Sequence, residues 1–387
     1  MKIVLAPDSF KESMTASQAV AALRDGVHAV WPDAECVGVP MADGGEGTVD
    51  AVVDALDGER ITVDVTDPLG RPVRAKYGYI PDRRLAVIEM ATASGLELVA
   101  PKDRDVLRAS TFGVGQLMSS ALDHGATELL IGLGGSATND AGTGMLAALG
   151  ATFADAHGVA LPPGGAALAQ LHHIDLAGLD PRLTDVRIRI ASDVTAPLLG
   201  KSGASAVFGP QKGADADDVA VLDMALSRLV EVTEATLGRA RPELPGAGAA
   251  GGLGFALLDF LGAECRPGVE VIAETVGLEQ SLTGADWAFT GEGSVDAQTM
   301  LGKTPFGVVQ AARRAGARVV IFAGRVAPDA DVLLANGVDR LVAITAPGTP
   351  IEQALRDGPV ALARAAAQVC RDLTSPTDLT SPARADS

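Results

Sequence analysis

Aromatic residues and cysteines are scarce in this sequence. Phenylalanine, tryptophan and tyrosine make up 3% of the 387 residues, whereas hydrophobic residues as a whole make up 47%. The core must therefore consist mainly of Ala, Val, Leu and Ile, which is typical of helices packed on a parallel β-sheet. Cys36, Cys265 and Cys370 lie far apart, without the spacing of a metal site or a redox motif. We expect them to be free thiols in a reducing cytoplasm.

Positive charge is also in short supply. The chain has 31 Lys and Arg residues against 49 Asp and Glu residues, a net charge of −18 at pH 7, so nucleic acids and anionic membranes are poor partners. It contains no apolar run of about 18 residues and no signal-peptide pattern, and we expect a soluble, cytoplasmic protein. The five histidines all lie outside the glycine-rich segments. Acid–base chemistry is therefore expected to depend on carboxylates.

Residues 131–146, IGLGGSATNDAGTGML, form a glycine-rich segment between two apolar runs. This order predicts a strand, a phosphate-type loop and the N-terminus of a helix. Gly134 and Gly135 would let a ligand approach the main chain. The polar residues that follow could contact such a ligand or could simply cap the helix. They are Ser136, Thr138, Asn139 and Asp140.

The first 60 residues contain two strand–turn–helix units. Each starts with a short apolar strand, at residues 2–6 and 36–40, and continues into a helix with one apolar face. Thr15 and Gln18 have the spacing of a capping box at the start of the first helix. This alternation predicts a doubly wound α/β sheet, which binds ligands at the carboxyl ends of its strands. The candidate residues of the two turns are Asp8, Ser9, Lys11, Asp43, Gly44, Gly45 and Glu46.

The pattern changes at residue 60 and returns to alternating strands and helices near residue 285. Residues 61–80 alternate in polarity around a Pro-Leu-Gly turn, which predicts an antiparallel hairpin at the start of an inserted α/β domain with a mixed sheet. In the closing third, a strand at 286–290 is expected to end in a polar turn, GEGSVDAQTMLGKTP. The predicted domains are residues 1–60 with about 285–374, and about 61–284. Residues 375–387 are expected to be disordered.

Several carboxylates lie at or near predicted strand ends. Such groups could bind Mg²⁺, act as a general base or merely cap helices. Together with lysines and glycine-rich loops, they are the parts that phosphoryl transfer requires. The sequence has no Walker motif, no protein-kinase HRD or DFG set and no GxSxG motif. The carboxylates are those of Asp8, Asp43, Glu46, Asp140, Asp193, Glu292 and Asp296.

Two other functional classes are open at this point. Residues 132–137 fit G-x-G-x-x-A after a strand, and Asp155 lies about 20 residues further on, as an NAD-dependent dehydrogenase would require. That motif leaves the other polar turns unexplained. A non-catalytic sensor of sugar acids is the second alternative, although the chain has no recognisable DNA-binding basic patch.

Five segments of the sequence resemble the type I glycerate kinase family. They are APDSFKESMTA, PMADGGEGT, GLGGSATNDAGTGML, SDVTAPLLGKSGASAVFGPQKGA and TGEGSVDAQTMLGKTP, between residues 6 and 305. The resemblance implies phosphorylation of D-glycerate that depends on ATP and Mg²⁺, with 2-phosphoglycerate as the favoured product. It also implies a flavodoxin-like domain with a second α/β domain inserted, and a site in the cleft between them.

Three residues depart from the family pattern as we expect it. Ala196 stands where we expect Asn, in a segment like DVTNP, and Ala141 and Thr143 change the small residues after GGSATND. None of these changes removes a charge. Because the change at Ala196 could affect a hydrogen bond to the substrate, another small hydroxy acid is an alternative acceptor.

The resemblance and the residue types together suggest a role for each candidate. Asp193 is the expected base, and Lys11 and Lys212 the expected cations on the substrate carboxylate or the transferring phosphoryl group. Asp43, Glu46, Glu292 and Asp296 are candidates for binding Mg²⁺ or substrate hydroxyls, and Asp296 and Glu292 are the two named for the metal. ATP and D-glycerate are the expected small-molecule partners of a monomer or homodimer. The expected substrate- and phosphate-binding residues are Asp8, Ser9, Asp43, Gly44, Gly45, Glu46, Gly134, Gly135, Ser136, Thr138, Asn139, Asp140, Gly291, Glu292 and Lys303.

Overall fold

The computed structural model describes residues 1–374. The tail for which we expected disorder, residues 375–387, lies outside the described residues. The described chain forms two compact units, one made of Met1–Ala42 with residues 273–374 and the other of Asp43–Ile272. No helix within residues 1–374 combines the length and the apolar character that crossing a membrane would require.

The strands of the described chain are short, and most are followed by a helix or a helical turn. They are β1 (Lys2–Leu5), β2 (Glu35–Gly38), β3 (Glu59–Thr66), β4 (Pro72–Ile80), β5 (Leu85–Glu89), β6 (Glu128–Gly132), β7 (Thr152–Ala154), β8 (His173–Asp175), β9 (Arg187–Ala191), β10 (Glu264–Arg266), β11 (Trp287–Val295), β12 (Arg318–Val326) and β13 (Arg340–Ala343).

The α-helices range from one turn to more than six turns. They are α1 (Ala16–His28), α2 (Thr48–Ala55), α3 (Ala91–Ser94), α4 (Phe112–Asp123), α5 (Thr143–Ala148), α6 (Ala204–Phe208), α7 (Ala216–Leu237), α8 (Ala249–Asp259), α9 (Gly268–Val276), α10 (Leu278–Leu282), α11 (Thr304–Arg314), α12 (Val332–Ala335) and α13 (Ile351–Thr374).

The first unit contains a parallel five-stranded sheet in the order β2-β1-β11-β12-β13. Counted within the unit, this is the order 2-1-3-4-5 of doubly wound flavodoxin-like folds. The predicted fold of this unit is therefore confirmed. The order in which strands are added to the sheet reverses between β1 and β11, so the residues that follow these two parallel strands lie where such folds bind ligands.

Aromatic rings and close backbone contacts hold the first unit together. Phe289 and Phe322 lie on neighbouring strands with their ring centroids 5.4 Å apart. Helix α1 packs against α13 at Gly26, where a Cβ atom would lie 2.2 Å from the backbone oxygen of Ala363. The predicted capping box at Thr15 and Gln18 is confirmed. A few ring contacts and close helix packing therefore stabilise the first unit, although the chain contains few aromatic residues.

Strand β11 is longer than the sequence suggested. We predicted that the strand would end near Thr290 and that a polar turn would follow, and this is wrong, because pairing with β12 continues from Gly291 to Val295. Glycine and acidic residues are unfavourable in strands when judged alone. Here the parallel partner strand satisfies the backbone, and Gly291 fits closely against Phe322. The extension carries Glu292 beyond the end of β1.

The second unit contains a mixed six-stranded sheet in the order β10-β9-β6-β5-β4-β3. Strands β5, β6, β9 and β10 are parallel, whereas β3, β4 and β5 pair antiparallel in sequence. The predicted hairpin and the predicted mixed sheet are therefore confirmed. Sequence patterns did not indicate β10 or the small antiparallel sheet of β7 and β8. The carboxyl ends of β5, β6 and β9 lie side by side and carry Glu89, the loop after Gly132 and Asp193.

Candidate active site

The glycine-rich loop after β6 lies in backbone contact with the loop that precedes α2. A Cβ atom on Gly132 would lie 2.2 Å from the backbone oxygen of Gly44, and one on Gly134 would lie 3.1 Å from the Cα atom of Gly45. A side chain at Gly132 would therefore collide with the backbone, and one at Gly134 would be a tight fit. Gly134 and Gly135 are themselves exposed, so their main chain is accessible to a ligand. The exposed main chain of Gly134 and Gly135, called the glycine cradle below, is suited to binding phosphate oxygens.

Asp140 is fully buried below this cradle. Its carboxylate accepts hydrogen bonds from the backbone and hydroxyl of Thr111, at 2.8 and 2.9 Å, and from the backbone of Gly142 and Gly144, at 3.1 and 3.2 Å. Burial raises the pKa of Asp140, and these hydrogen bonds oppose the rise. The protein itself occupies both carboxylate oxygens. Asp140 therefore anchors the loop to the starts of α4 and α5.

Lys212 is buried against the same loop, with 1% of its surface exposed. Its ammonium group donates a hydrogen bond to the backbone oxygen of Thr138 at 2.7 Å. Burial lowers the pKa of Lys212 to about 7, and the nearby charge of Asp140 opposes this effect. A lysine in this position cannot extend into solvent, so any effect it has on a ligand passes through the loop.

The remaining polar residues of the loop are also buried. The amide nitrogen of Asn139 donates to the hydroxyl of Ser205 at 2.9 Å, a contact that sequence analysis did not indicate. The Oγ1 atom of Thr138 and the Oδ1 atom of Asn139 are buried without a hydrogen-bond partner in the described chain. A buried polar atom without a partner is costly. These two atoms are therefore available to a water molecule or a ligand.

Asp193 lies two residues after the end of β9 and has an exposed side chain. Its Oδ1 atom accepts a hydrogen bond from the backbone nitrogen of Gly268, the first residue of α9, at 3.0 Å. Partial desolvation raises the pKa of Asp193, and the negative charges of Asp43 and Glu270 raise it further, against the effect of the Gly268 hydrogen bond. An exposed carboxylate with a raised pKa is suited to general base catalysis.

The loop that contains Asp43 lies beside Asp193. A Cβ atom on Gly268 would lie 1.7 Å from the backbone oxygen of Asp43, so the start of α9 contacts this loop directly. The Asp43 carboxylate accepts a hydrogen bond from the backbone of Gly45 at 2.9 Å. Asp43 and Glu46 both have exposed side chains. The second unit thus brings Asp43, the glycine cradle and Asp193 to the same edge of its sheet.

Glu89 is a buried carboxylate at this edge that sequence analysis missed. It ends β5, next to Gly132 of β6, and accepts a hydrogen bond from the backbone nitrogen of Val49 at 2.7 Å. Burial raises its pKa to about 7. The only signal in the sequence was an acidic residue at the end of the apolar run LAVIE.

In the first unit, Asp8 and its neighbours follow β1. The Asp8 carboxylate accepts hydrogen bonds from the backbone of Ser9 at 2.6 Å and from the hydroxyl of Thr304 at 2.5 Å. Thr304 begins α11, and sequence analysis did not single it out. Lys11 is exposed, and its backbone nitrogen lies 3.7 Å from the position that a Cβ atom on Gly293 would occupy. The residues after β1 and along β11 therefore lie together, as the strand order requires.

Glu292, Asp296 and Lys303 form a second charged group in the first unit. The ammonium group of Lys303 lies 3.8 Å from the Glu292 carboxylate and 3.7 Å from that of Asp296. The Oδ1 atom of Asp296 is buried and makes no hydrogen bond to any described residue. Mg²⁺ in kinases is usually held by one or two carboxylates together with substrate phosphates and water. Two carboxylates, one with an oxygen that lacks a hydrogen bond, fit that requirement.

The alternative dinucleotide-binding motif does not have the required geometry. Asp155 follows β7, which pairs with β8 in a separate two-stranded sheet instead of lying beside β6. The Asp155 carboxylate caps its own turn by accepting hydrogen bonds from the backbone of His157 and Val159. It therefore does not occupy the strand end at which a dinucleotide fold binds ribose.

Comparison with known proteins points to one family. A sequence model described as the glycerate kinase family matches residues 3–374. The chain is 46% identical to a glycerate kinase of Bacillus subtilis (strain 168), over 96% of this chain and 98% of that protein. It is 44% identical to a glycerate 2-kinase of Escherichia coli (strain K12), with the same coverage.

A solved structure agrees with these matches. A crystal structure from Salmonella typhimurium LT2 that carries the provisional description glycerate kinase 2 is 44% identical to this chain. It superimposes with a TM-score of 0.90 and covers 98% of this chain and 100% of that one. The chain described here belongs to the glycerate kinase family.

Proposed function

We propose that this protein transfers the γ-phosphoryl group of ATP to a hydroxyl group of D-glycerate, with 2-phosphoglycerate as the favoured product. The observation that carries the proposal is the arrangement of the second unit, where an exposed glycine cradle and an exposed carboxylate, Asp193, follow neighbouring strands. The cradle offers backbone N–H groups to phosphate oxygens. The carboxylate offers a base to the acceptor hydroxyl. Membership of the glycerate kinase family supports the same reaction.

The proposed transfer is an in-line displacement at the γ-phosphorus. The acceptor oxygen forms a bond to phosphorus, the bond from phosphorus to the β,γ-bridging oxygen breaks, and ADP leaves with the electron pair. Asp193 orients the acceptor hydroxyl and takes its proton. Its raised pKa brings the carboxylate closer to the working pH, which favours proton transfer.

The other candidates are assigned by their exposure and contacts. Lys11 is proposed to neutralise the substrate carboxylate or the transferring phosphoryl group, and Lys212 to act on the same charge through Thr138, to which it is bound. Lys303 is proposed to contact a nucleotide phosphate. The residues proposed to contact phosphate or substrate are Asp8, Ser9, Asp43, Gly44, Gly45, Glu46, Gly134, Gly135, Ser136, Thr138, Asn139 and Gly291. Asp140, whose carboxylate oxygens are occupied by the protein, is proposed to hold the loop in place.

Mg²⁺ is proposed as the cofactor, held by Glu292 and Asp296. When bound, it would neutralise charge on the ATP phosphates. Lys303 shares these carboxylates. We propose that its positive charge keeps the two acidic side chains close together until Mg²⁺ would replace it between them.

The test is a coupled assay of ADP release with MgATP and D-glycerate, on the wild type and on Asp193→Asn. We expect turnover by the wild type and a loss of about 10² to 10⁴-fold in kcat in the variant, because a positioned base contributes that much. Glu270→Gln is the matched control, since it removes a neighbouring charge and leaves Asp193 in place. ³¹P NMR of the product distinguishes 2- from 3-phosphoglycerate.

Each contrary result has a defined meaning. Full turnover in Asp193→Asn would support the proposed kinase reaction but contradict the role of Asp193 as the base. ADP release with another hydroxy acid but not with D-glycerate would contradict the proposed acceptor and direct attention to Ala196. No ADP release with any acceptor would contradict the proposed reaction.

A further inference from the structure

Glu89 lies directly beneath the start of α2, the helix that follows the loop of Asp43 to Gly47. It is 8% exposed, and its Oε1 atom accepts the hydrogen bond from Val49, the second residue of α2, at 2.7 Å. The first N–H groups of a helix have no partner within the helix and favour a negative charge. Glu89 provides both the hydrogen-bond acceptor and the charge, although it lies 40 residues away in the chain.

The residue that directly precedes α2 provides no side-chain cap for this helix. This residue is Gly47, which has no side chain, and its backbone is left-handed with φ of 91°. The loop itself lies on Gly132 and Gly134 through Gly44 and Gly45. The contact from Glu89 to Val49 therefore fixes the end of the segment that carries Asp43 and Glu46.

Three charged groups surround the Glu89 carboxyl group. Asp50 and Glu46 repel its negative charge, whereas Lys76 attracts it. The ammonium group of Lys76 also lies 3.0 Å from the Asp50 carboxylate, and the Nε atom of Arg60 lies 2.7 Å from it. Burial has the largest effect and raises the pKa of Glu89 to about 7. The group therefore changes its charge within the physiological range of pH.

We propose that Glu89 is a positioning residue for the loop of Asp43 to Glu46, and that its ionised form sets this loop for D-glycerate. A hydrogen bond from a helix N-terminus to a carboxylate is stronger than one to a neutral acid. Loss of the proton from Glu89 therefore tightens the start of α2 and the loop before it. This inference rests on the proposed function, because glycerate is taken as the ligand of the loop.

The experiment compares the wild type with Glu89→Gln between about pH 5.5 and about pH 8.5, on either side of the pKa of Glu89. Glutamine keeps an oxygen for Val49 but has no charge to gain. We expect the KM for D-glycerate to fall as the pH rises in the wild type. In Glu89→Gln, KM should stay at its low-pH value, about five- to tenfold above the wild type at the upper end. Glu97→Gln, an exposed carboxylate of the same unit, is the control and should follow the wild type.

Two further variants test whether Glu89 is the titrating group without altering it. Asp50→Asn removes a negative neighbour and releases Lys76, so the midpoint of the KM profile should move to lower pH. Lys76→Met removes the attracting charge, so the midpoint should move to higher pH. Midpoints that stay unchanged in both variants would overturn the proposal, as would a wild-type pH profile in Glu89→Gln.

Hydrogen exchange of the peptide that spans residues 43–53 provides a readout independent of turnover. After correction for the intrinsic effect of pH, protection should increase with pH in the wild type and stay constant in Glu89→Gln. Equal protection profiles in the two proteins would contradict the role of Glu89. A wild type without turnover on D-glycerate, but with this difference in protection, would instead contradict the proposed function and retain the role of Glu89 in ordering the loop.

Discussion

The two units present their polar site residues in opposite ways. In the second unit, Thr138, Asn139, Asp140 and Lys212 are buried and largely bonded to one another or to the backbone. In the first unit, Glu292, Asp296 and Lys303 are partly exposed and are joined by ion-pair distances of 3.7 and 3.8 Å. The buried arrangement in the second unit fixes the shape of the backbone. The partly exposed arrangement in the first unit keeps charged groups available to a ligand.

This contrast predicts which substitutions will affect the stability of the fold and which will affect ligand binding. Buried polar groups must be satisfied inside the protein, and once satisfied they hold a loop rigidly. Partly exposed ion pairs contribute little to stability and can exchange partners readily. We therefore expect substitutions in the second unit to affect folding as well as activity, and substitutions in the charged group of the first unit to affect mainly ligand binding.

The largest effect is expected for Asp140→Ala. The substitution leaves the buried N–H groups of Thr111, Gly142 and Gly144 without an acceptor, which should lower the free energy of unfolding by about 3 to 5 kcal/mol. Urea denaturation measures this loss. Asp155→Ala is the matched control, because Asp155 also accepts hydrogen bonds from two backbone N–H groups but is more exposed than Asp140, and its loss should be much smaller. Equal losses in the two variants would contradict the structural role that we assign to the burial of Asp140.

The next effect concerns Lys212→Met and depends on pH. Unfolded Lys212 keeps its proton up to its ordinary pKa of 10.5, whereas the folded protein releases it near pH 7. Between these values the folded state binds fewer protons, so the stability of the wild type relative to Lys212→Met should rise with pH. The slope should be at most about 1.4 kcal/mol per pH unit, and the full cost of the buried charge is present below pH 7.

Urea denaturation of both proteins between about pH 7 and about pH 9 measures this slope. Lys201→Met is the control, because Lys201 lies in the same segment but is exposed. Its stability should run parallel to that of the wild type. A constant difference between the wild type and Lys212→Met across this range would mean that Lys212 remains charged in the folded protein.

The smallest effect on stability is expected for Lys303→Met. Its ion pairs are partly exposed, so the free energy of unfolding should change by no more than about 1 kcal/mol. The KM for MgATP should nevertheless rise about tenfold, which corresponds to the loss of about 1.4 kcal/mol of binding. Lys102→Met, which replaces an exposed lysine of the second unit, should change neither quantity. A large loss of stability without a change in KM would reverse the comparison between the units.

Sequence patterns were sufficient for the fold class and for the main elements of the two larger sheets. The alternation of short apolar strands and amphipathic helices predicted the doubly wound sheet, and the Pro-Leu-Gly turn predicted the hairpin of β3 and β4. Both depend on local periodicity, which the sequence displays directly. The end of β11 was predicted wrongly because the backbone of Gly291 to Val295 is satisfied by β12, a partner more than 20 residues away.

The less predictable part of the site consists of contacts between distant segments. The burial of Lys212 depends on the Thr138 loop, 74 residues away in sequence, and the link from Thr304 to Asp8 spans 296 residues. Glu89 carries no local motif, and its raised pKa arises from burial under α2. Composition shows that a lysine or a carboxylate is present, but only the folded chain shows its surroundings.

The close contact between Gly251 and the Thr138 loop limits how this protein can be engineered. A Cβ atom on Gly251 would lie 1.9 Å from the backbone oxygen of Thr138, and Gly251 has a left-handed backbone with φ of 66°. Any side chain at Gly251 would therefore push the Thr138 loop out of its position. A library designed to change the acceptor should therefore keep the glycines constant and vary positions that already carry a side chain, such as Ala196.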